Sequence, residues 1–383
     1  MQVQAPSSTA SSWPSSSPIE ATQAATRIEL AWADGDTRSV NTTWLRDNCV
    51  CDSCRITQTG EHRFFLGQHE RIPTATAVSL DAGALLLDWS DGHSSRFTPE
   101  DFARITHVAE RVHPDIRLWS DTFLPERFAY ADVVNDQATR EAFMVASMRD
   151  GLTLITDMGS ESGECIKFLE QVGIPIRDTP FDRLHDVYFH ADGYNVAHTD
   201  EPLPPHNDFA SYHWPPSGQL IHMLINEVEG GDWVDVDGFR VLAQLQETNP
   251  EAIDVLARVP VAFREHSDTA ESWARAPLVR RDTRGEIIGI RFSNQLMQPI
   301  DPCDPDLEAF YDAYHQLARA VNDPANQIQF RGHGGTMQVL HAHRILHARR
   351  GFDGSSGSRH LQDTYFEFDD LRSLHALTTG EAR

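Results

Sequence analysis

Long apolar runs are missing from this 383-residue chain. No stretch approaches the roughly 18 consecutive apolar residues that a helix needs to cross a bilayer, so no membrane span is expected. Positive charge is short too. Lysine and arginine number 32 against 57 aspartates and glutamates, a net charge of −25, which speaks against nucleic acid and anionic membranes as partners and leaves small molecules. The opening stretch MQVQAPSSTASSWPSSSPIEATQAAT has no basic residue. A signal peptide needs a basic start and an apolar segment, and a transit peptide needs arginines. Neither is expected, and the Ser, Pro and Ala content of residues 1–25 reads as a disordered tail on a cytoplasmic protein. Cysteine is sparse: five residues, an odd number, with three crowded together. In a reducing compartment that pattern suggests metal binding before disulfides.

What is present divides the chain in two. In residues 26–110, RIELAW alternates apolar and polar residues up to an ADGD turn and predicts a hairpin; ATAVSL, DAG and ALLLDW predict a second. Thr98 as N-cap, Pro99 at the first helical position and Asp101 in the first turn predict a helix through SSRFTPEDFARI. Residues 111–127 read as a linker. In residues 128–383 the helical TREAFMVASMRDG, the strand LTLITDM and the helical GECIKFLEQVG come first. Short strands follow, among them QLIHMLINEV, WVDVDGF, MQVLHA and RHLQDTYFEF, interrupted by the helical DLEAFYDAYHQLARAVND. The expected class is mainly β with flanking helices, a jelly roll or β-sandwich behind a small N-terminal β module.

Three motifs carry chemistry. In NCVCDSC, Cys49, Cys51 and Cys54 are close enough for their thiolates to reach one tetrahedral ion, and His93 in WSDGHSS is the best fourth ligand within the module. Three Cys and one His fill zinc completely, so such a site is structural. In LPPHNDFASY, His206 and Asp208 stand two apart, which on an extended segment turns both side chains to one side. One more histidine would complete a facial triad with open positions, the arrangement suited to non-haem iron(II). The segment MQVLHAHRILHARRGFDGSSGSRHLQDTY offers His341, His343 and His347, with Arg359 beyond as a fork for a carboxylate.

The order H-x-D, a long stretch, R-x-x-H-x-R within RILHARR and then Arg359 resembles the taurine-dioxygenase-like group of 2-oxoglutarate oxygenases. That resemblance selects His347 over His341 and His343. The front module, with WLRDNCVCDSC and DWSDGHSSRF, resembles the zinc-binding domain that precedes this oxygenase in the γ-butyrobetaine and trimethyllysine dioxygenase family, and the chain is more similar to the γ-butyrobetaine branch. The resemblance covers about residues 26–375. It implies a double-stranded β-helix core over residues 128–383, with iron(II) on His206, Asp208 and His347. It puts the distal carboxylate of 2-oxoglutarate on Arg359 and structural zinc on Cys49, Cys51, Cys54 and His93. Asn195 and Asn294 match positions that hold the substrate carboxylate. Phe181, His185, His198 and Tyr365 match a cage for a trimethylammonium group, two of them histidine where animal relatives carry tyrosine or tryptophan. Tyr188, Tyr194 and Trp214 are alternatives for the missing face. The implied reaction takes γ-butyrobetaine and O2 to L-carnitine, releasing succinate and CO2, with ascorbate as reductant and a homodimer as the assembly. The alternatives are another quaternary ammonium acid such as trimethyllysine as substrate, a sulfonate or alkyl-acid oxygenase of the wider group, or a non-catalytic zinc- and ligand-binding jelly roll.

Overall fold

The computed structural model describes residues 13–107, 115–180, 182–189, 196–266 and 270–379. The chain divides into two compact units, Met1–Pro114 and Asp115–Arg383.

Both expected hairpins are present in the first unit. Arg27–Ala31 pairs with Thr37–Asn41, and Ala75–Asp81 with Ala84–Trp89. Alternation in RIELAW buries Ile28, Leu30 and Trp32 against Leu85, Leu87, Trp89 and Phe97. Each hairpin gains a third strand that the sequence reading did not include, Glu20–Ala24 and Ser94–Phe97. The tail expected over residues 1–25 is therefore corrected from residue 13 onwards. Glu20–Ala24 pairs along Arg27–Ala31, the Trp13 ring stacks on Phe102 at 4.4 Å, and the Trp32 indole donates to the Ser16 carbonyl at 2.8 Å. Residues 1–12 lie outside the described residues. The helix Pro99–His107 opens on a reciprocal cap: Thr98 Oγ1 accepts from the Asp101 amide at 3.1 Å and the Asp101 carboxylate accepts from the Thr98 amide at 3.0 Å.

The second unit is built on two sheets. One has six strands in the order Arg127–Ala129, Leu152–Thr156, Thr336–His341, Gly218–Asn226, Arg359–Phe366, His185–Tyr188. The other has four, in the order Leu203–His206, Ile345–Arg349, Trp233–Asp237, Gln327–Phe330. Every pairing in them is antiparallel except that of the first two strands. Trp233, Ile328 and Ile345 of the smaller sheet pack on Ile221, Met223, Leu340 and Leu361 of the larger, which makes the jelly roll. Helices cover both outer faces. Phe143, Phe168 and Leu371 pack on Leu220, Met337 and Val339; Leu242, Ile253 and Leu317 pack on Val236 and Leu346. Gly218–Asn226, buried on both sides for most of its length, is the middle of the core.

The expected linker over 111–127 is corrected from residue 115, where the second unit begins. Trp119 is buried in its core and donates to the Asp150 carbonyl at 2.8 Å, and the Arg117 guanidinium forks the Asp150 carboxylate at 2.7 and 2.6 Å. The helices Gly238–Thr248, Pro250–Arg258 and Phe368–Thr379 were also not expected. The first two start on side-chain caps from Asp237 and Asn249. Among the described residues no helix is long and apolar enough to cross a membrane.

Candidate active site and metal centres

Among the described residues, two groups bring His, Cys, Asp or Glu ligand atoms within 4.8 Å of one another: His206, Asp208 and His347, and Cys49, Cys51, Cys54 and His93. The first group is assembled by strand pairing. Leu203–His206 runs antiparallel to Ile345–Arg349, and the register sets His206 directly opposite His347. Their rings stand 4.3 Å apart between centroids. Asp208 lies past the strand end, in a turn, so the expected alternation along one strand is not what aims it. Its position comes from Asn207. The buried amide of Asn207 donates to Ala342 and Ile345 carbonyls and accepts from the Phe292 amide at 2.8 Å, and Phe209 follows with a left-handed φ of 52°. Asp208 Oδ1 then faces His206 Nε2 at 3.3 Å and His347 Nε2 at 3.8 Å. Its other oxygen accepts from Gln219 Nε2 and from the Tyr365 hydroxyl, each at 2.7 Å.

His206 Nδ1 donates to the Pro204 carbonyl at 2.9 Å, which turns Nε2 toward Asp208. Burial would lower the His206 pKa, but Asp208 and the Pro204 carbonyl outweigh it and raise it. Burial would push the Asp208 carboxyl up, but His347, His206 and the Tyr365 hydroxyl outweigh it and hold it well below the usual carboxylate range. Burial, with the charge of His206, pulls His347 down to about 4. An anionic carboxylate and imidazole lone pairs converging on one face suit a divalent ion with open positions.

The triad lines a cavity of about 550 Å³. Inward-facing residues of Arg359–Phe366 form one wall: Arg359, Leu361, Asp363 and Tyr365. Arg359 is buried and its Nε has no hydrogen-bond partner among the described residues. Burial, together with the charges of Arg349 and Arg331, pulls it down to about 9. A cation in that position calls for an anionic ligand.

The second group is more compact. His93 Nε2 stands 3.3, 3.7 and 3.5 Å from the sulfurs of Cys49, Cys51 and Cys54, and the first two sulfurs are 3.6 Å apart. Bonds of about 2.3 Å to sulfur and 2.0–2.1 Å to nitrogen around a tetrahedral ion put ligand atoms roughly 3.6–3.8 Å apart. The four residues fit zinc. Arg46 braces the cluster, donating to Cys54 Sγ at 3.3 Å and forking Asp91 at 2.9 and 2.8 Å, while Asp91 accepts from the His93 amide at 3.1 Å.

Comparison with known proteins matches residues 115–365 to the model of the taurine catabolism dioxygenase TauD, TfdA family, and residues 19–100 to that of gamma-butyrobetaine hydroxylase-like N-terminal domains. The chain belongs to the TauD/TfdA dioxygenase family. It is 30% identical over 356 residues to gamma-butyrobetaine dioxygenase from Pseudomonas sp. (strain AK-1), a match that spans 91% of this chain and 93% of that protein. It is 25% identical over 368 residues to gamma-butyrobetaine dioxygenase from Homo sapiens, across 92% and 95% of the two chains. Trimethyllysine dioxygenase from Gallus gallus is 24% identical over 366 residues, across 91% and 85%.

The structure gives physical reasons for the arginines in the TauD/TfdA-like motif RILHARR. Arg344 is a fully buried fork on Asp237, at 3.0 and 2.7 Å, and also donates to the Arg149 and Arg117 carbonyls. Arg349 donates to the carbonyls of Ala197, Thr199 and Glu201 and so ties down the segment leading into Leu203–His206.

The expected substrate residues divide. His185 and Tyr365 line the cavity. The Tyr365 hydroxyl is committed to Asp208 and its ring meets Phe209 edge-on at 4.9 Å. His198 is buried behind the wall, its Nδ1 against the Tyr188 carbonyl at 3.1 Å and its ring edge-on to His185 at 5.8 Å. Asn294 is turned out of the cavity and accepts from the Tyr314 hydroxyl at 2.8 Å; its neighbours Ser293 and Gln295 line the cavity instead. Of the alternatives, Tyr188 stacks on His360 at 3.9 Å and Trp214 borders a smaller neighbouring hollow. Phe181, Tyr194 and Asn195 lie outside the described residues. The sequence reading missed Gln219, Asp363 and Glu265. No local motif marks them: Asp363 and Glu265 line the cavity, and Gln219 reaches Asp208 through the register that sets it opposite Tyr365.

Proposed function

We propose that the chain is an iron(II)- and 2-oxoglutarate-dependent dioxygenase that hydroxylates γ-butyrobetaine to L-carnitine, consuming O2 and releasing succinate and CO2. One observation carries this reading above the others: a single cavity holds both a three-ligand face and a buried arginine whose Nε has no partner among the described residues. The likeness to gamma-butyrobetaine dioxygenases along nearly the whole chain supports the substrate. Bound at His206, Asp208 and His347, iron(II) would supply the redox chemistry that couples O2 to the oxidation of both organic reactants.

The chain's own part is placement. The Pro204 carbonyl fixes the His206 tautomer, and Gln219 and Tyr365 hold one Asp208 oxygen so that the other points to the two rings. Arg359 anchors the far carboxylate of the keto acid. Trp233, Leu361 and Val187 keep that end of the cavity apolar and short of water. A betaine panel assay following 2-oxoglutarate consumption by NMR tests the reading; consumption that is not stimulated by γ-butyrobetaine overturns it. A homodimer, a cytoplasmic setting and ascorbate as reductant belong to the same proposal.

Arg359→Lys keeps the charge and loses the planar fork. Losing a charge-assisted hydrogen bond costs about 1.5–3 kcal/mol, so the KM for 2-oxoglutarate should rise by about tenfold or more, and that for the betaine much less. Equal rises would mean that Arg359 supports the fold and not the cosubstrate. For the first unit, freshly purified protein should hold one zinc that survives mild chelation. Cys51→Ser should release it and lower that unit's Tm by more than about 5 °C, roughly the effect of 1 kcal/mol in a domain of this size. Elemental analysis that finds no zinc in the wild type is the contrary result.

A further inference from the structure

Asp363 has no part in the chemistry described so far. It sits on the inner face of Arg359–Phe366, two positions from Tyr365 and on the same side. Only 8% of it is exposed. One carboxylate oxygen stands 3.8 Å from His185 Nδ1. The other is sealed from solvent and has no hydrogen-bond partner among the described residues. A buried polar atom left this way is costly unless a ligand supplies a donor or a charge. Burial and the nearby Asp208 charge push its carboxyl above the usual range, and His185 and Arg359 only partly counter them. A second acid, Glu265, lines the same cavity, where Ser211 Oγ donates to it at 3.3 Å. The aromatic rings among the described lining residues on this side are Phe209, Tyr212 and Tyr365. The cavity is therefore acidic as well as aromatic where it leaves the metal ligands.

We infer that Asp363 is the counter-charge for the cationic end of the substrate, and that it lets the site take ammonium groups that still carry an N–H as readily as fully methylated ones. The inference rests on the proposed betaine reaction and specifies its substrate class. An aromatic cage alone recognises a quaternary cation by its charge and its methyl surface. A carboxylate with a bare oxygen adds an acceptor, which a protonated tertiary or secondary amine can fill and a trimethylammonium cannot.

Three substrates of matched shape test this: γ-butyrobetaine, 4-(dimethylamino)butyrate and the neutral isostere 5,5-dimethylhexanoate, assayed with wild type and Asp363→Asn. In the wild type, kcat/KM for the dimethylamino acid should equal or exceed that for γ-butyrobetaine, and both should exceed the isostere. In Asp363→Asn the KM for both cations should rise about tenfold, that for the isostere should stay within twofold, and that for 2-oxoglutarate should not move. If all three KM values rise together, or the 2-oxoglutarate KM rises with them, Asp363 merely balances His185 and Arg359 and the inference falls. Should the variant not fold, the wild-type ranking decides: a dimethylamino acid tenfold poorer than γ-butyrobetaine overturns the inference while leaving the betaine reaction standing. A wild type that turns over none of the three overturns both.

Discussion

His347→Ala should yield a folded protein that retains no iron after gel filtration and has lost more than about 100-fold of its 2-oxoglutarate turnover. Removing an outer partner of a metal ligand typically costs about 10–100-fold, and a ligand itself should cost more. Two nearby histidines serve as controls. His343 Nε2 faces the Pro215 carbonyl at 3.1 Å and the ring borders the smaller hollow. His343→Ala should keep activity within about threefold of wild type, the scale of a site that touches neither metal nor substrate. His341 is held edge-on to Phe368 at 4.3 Å, and burial drives its pKa well below the usual value. His341→Ala should lower the melting temperature through the void it leaves, yet keep its iron. Metal content and turnover measured on the three variants decide the matter, and an active His347→Ala beside a dead His343→Ala would refute the triad.

Arg344→Met should be strongly destabilising, at about 3–5 kcal/mol, the usual cost of leaving one partner of a buried ion pair alone. Both side chains are sealed, at 2% and 0% exposure. The fork on Asp237 also positions that carboxylate to accept from the Trp119 and Phe239 amides. Arg344 therefore joins the 117–119 segment, the end of Gln137–Asp150, the start of Gly238–Thr248 and the strand that carries His347. Asp237→Asn added to Arg344→Met should recover part of the loss, because the stranded charge is what hurts. Denaturant titration reads both variants; a loss under about 1 kcal/mol in the single variant contradicts this account.

How legible all this was depends on how local each signal is. Cys49, Cys51 and Cys54 announce themselves by spacing, and RIELAW and ALLLDW by alternation. The jelly roll followed from many short strands. Asn249 before Pro250 is a helix-start signal in plain sight, yet the two helices after Trp233–Asp237 were not read, because the apolar stretch around them matched the surrounding strands. Trp119 was lost to a proline-flanked segment that looks like a connector, since nothing nearby in sequence marks Asp150 as its partner. The pocket was the least legible part. Gln219 meets Asp208 because Gly218–Asn226 pairs with Arg359–Phe366 in a register that puts it opposite Tyr365. Asn294 shows the other side of the same difficulty, for its two neighbours reach the cavity and it does not.

The strand order of the larger sheet has a consequence during synthesis. Cys49 and His93 are 44 residues apart, whereas the Asp208–Tyr365 contact spans 157. Closure entropy grows so slowly with length that the longer loop costs only about 1 kcal/mol more. Time is the larger difference. At translation speeds of roughly 5–20 residues per second, the cysteine cluster is complete well before Arg359–Phe366 leaves the ribosome, by an interval on the order of tens of seconds. For the later part of that interval Gly218–Asn226, buried on both faces for most of its length, has been made while both of its neighbours, Thr336–His341 and Arg359–Phe366, are still to come. The nascent chain thus carries a finished metal module together with an unpaired, aggregation-prone strand, QLIHMLI, until its two partner strands arrive.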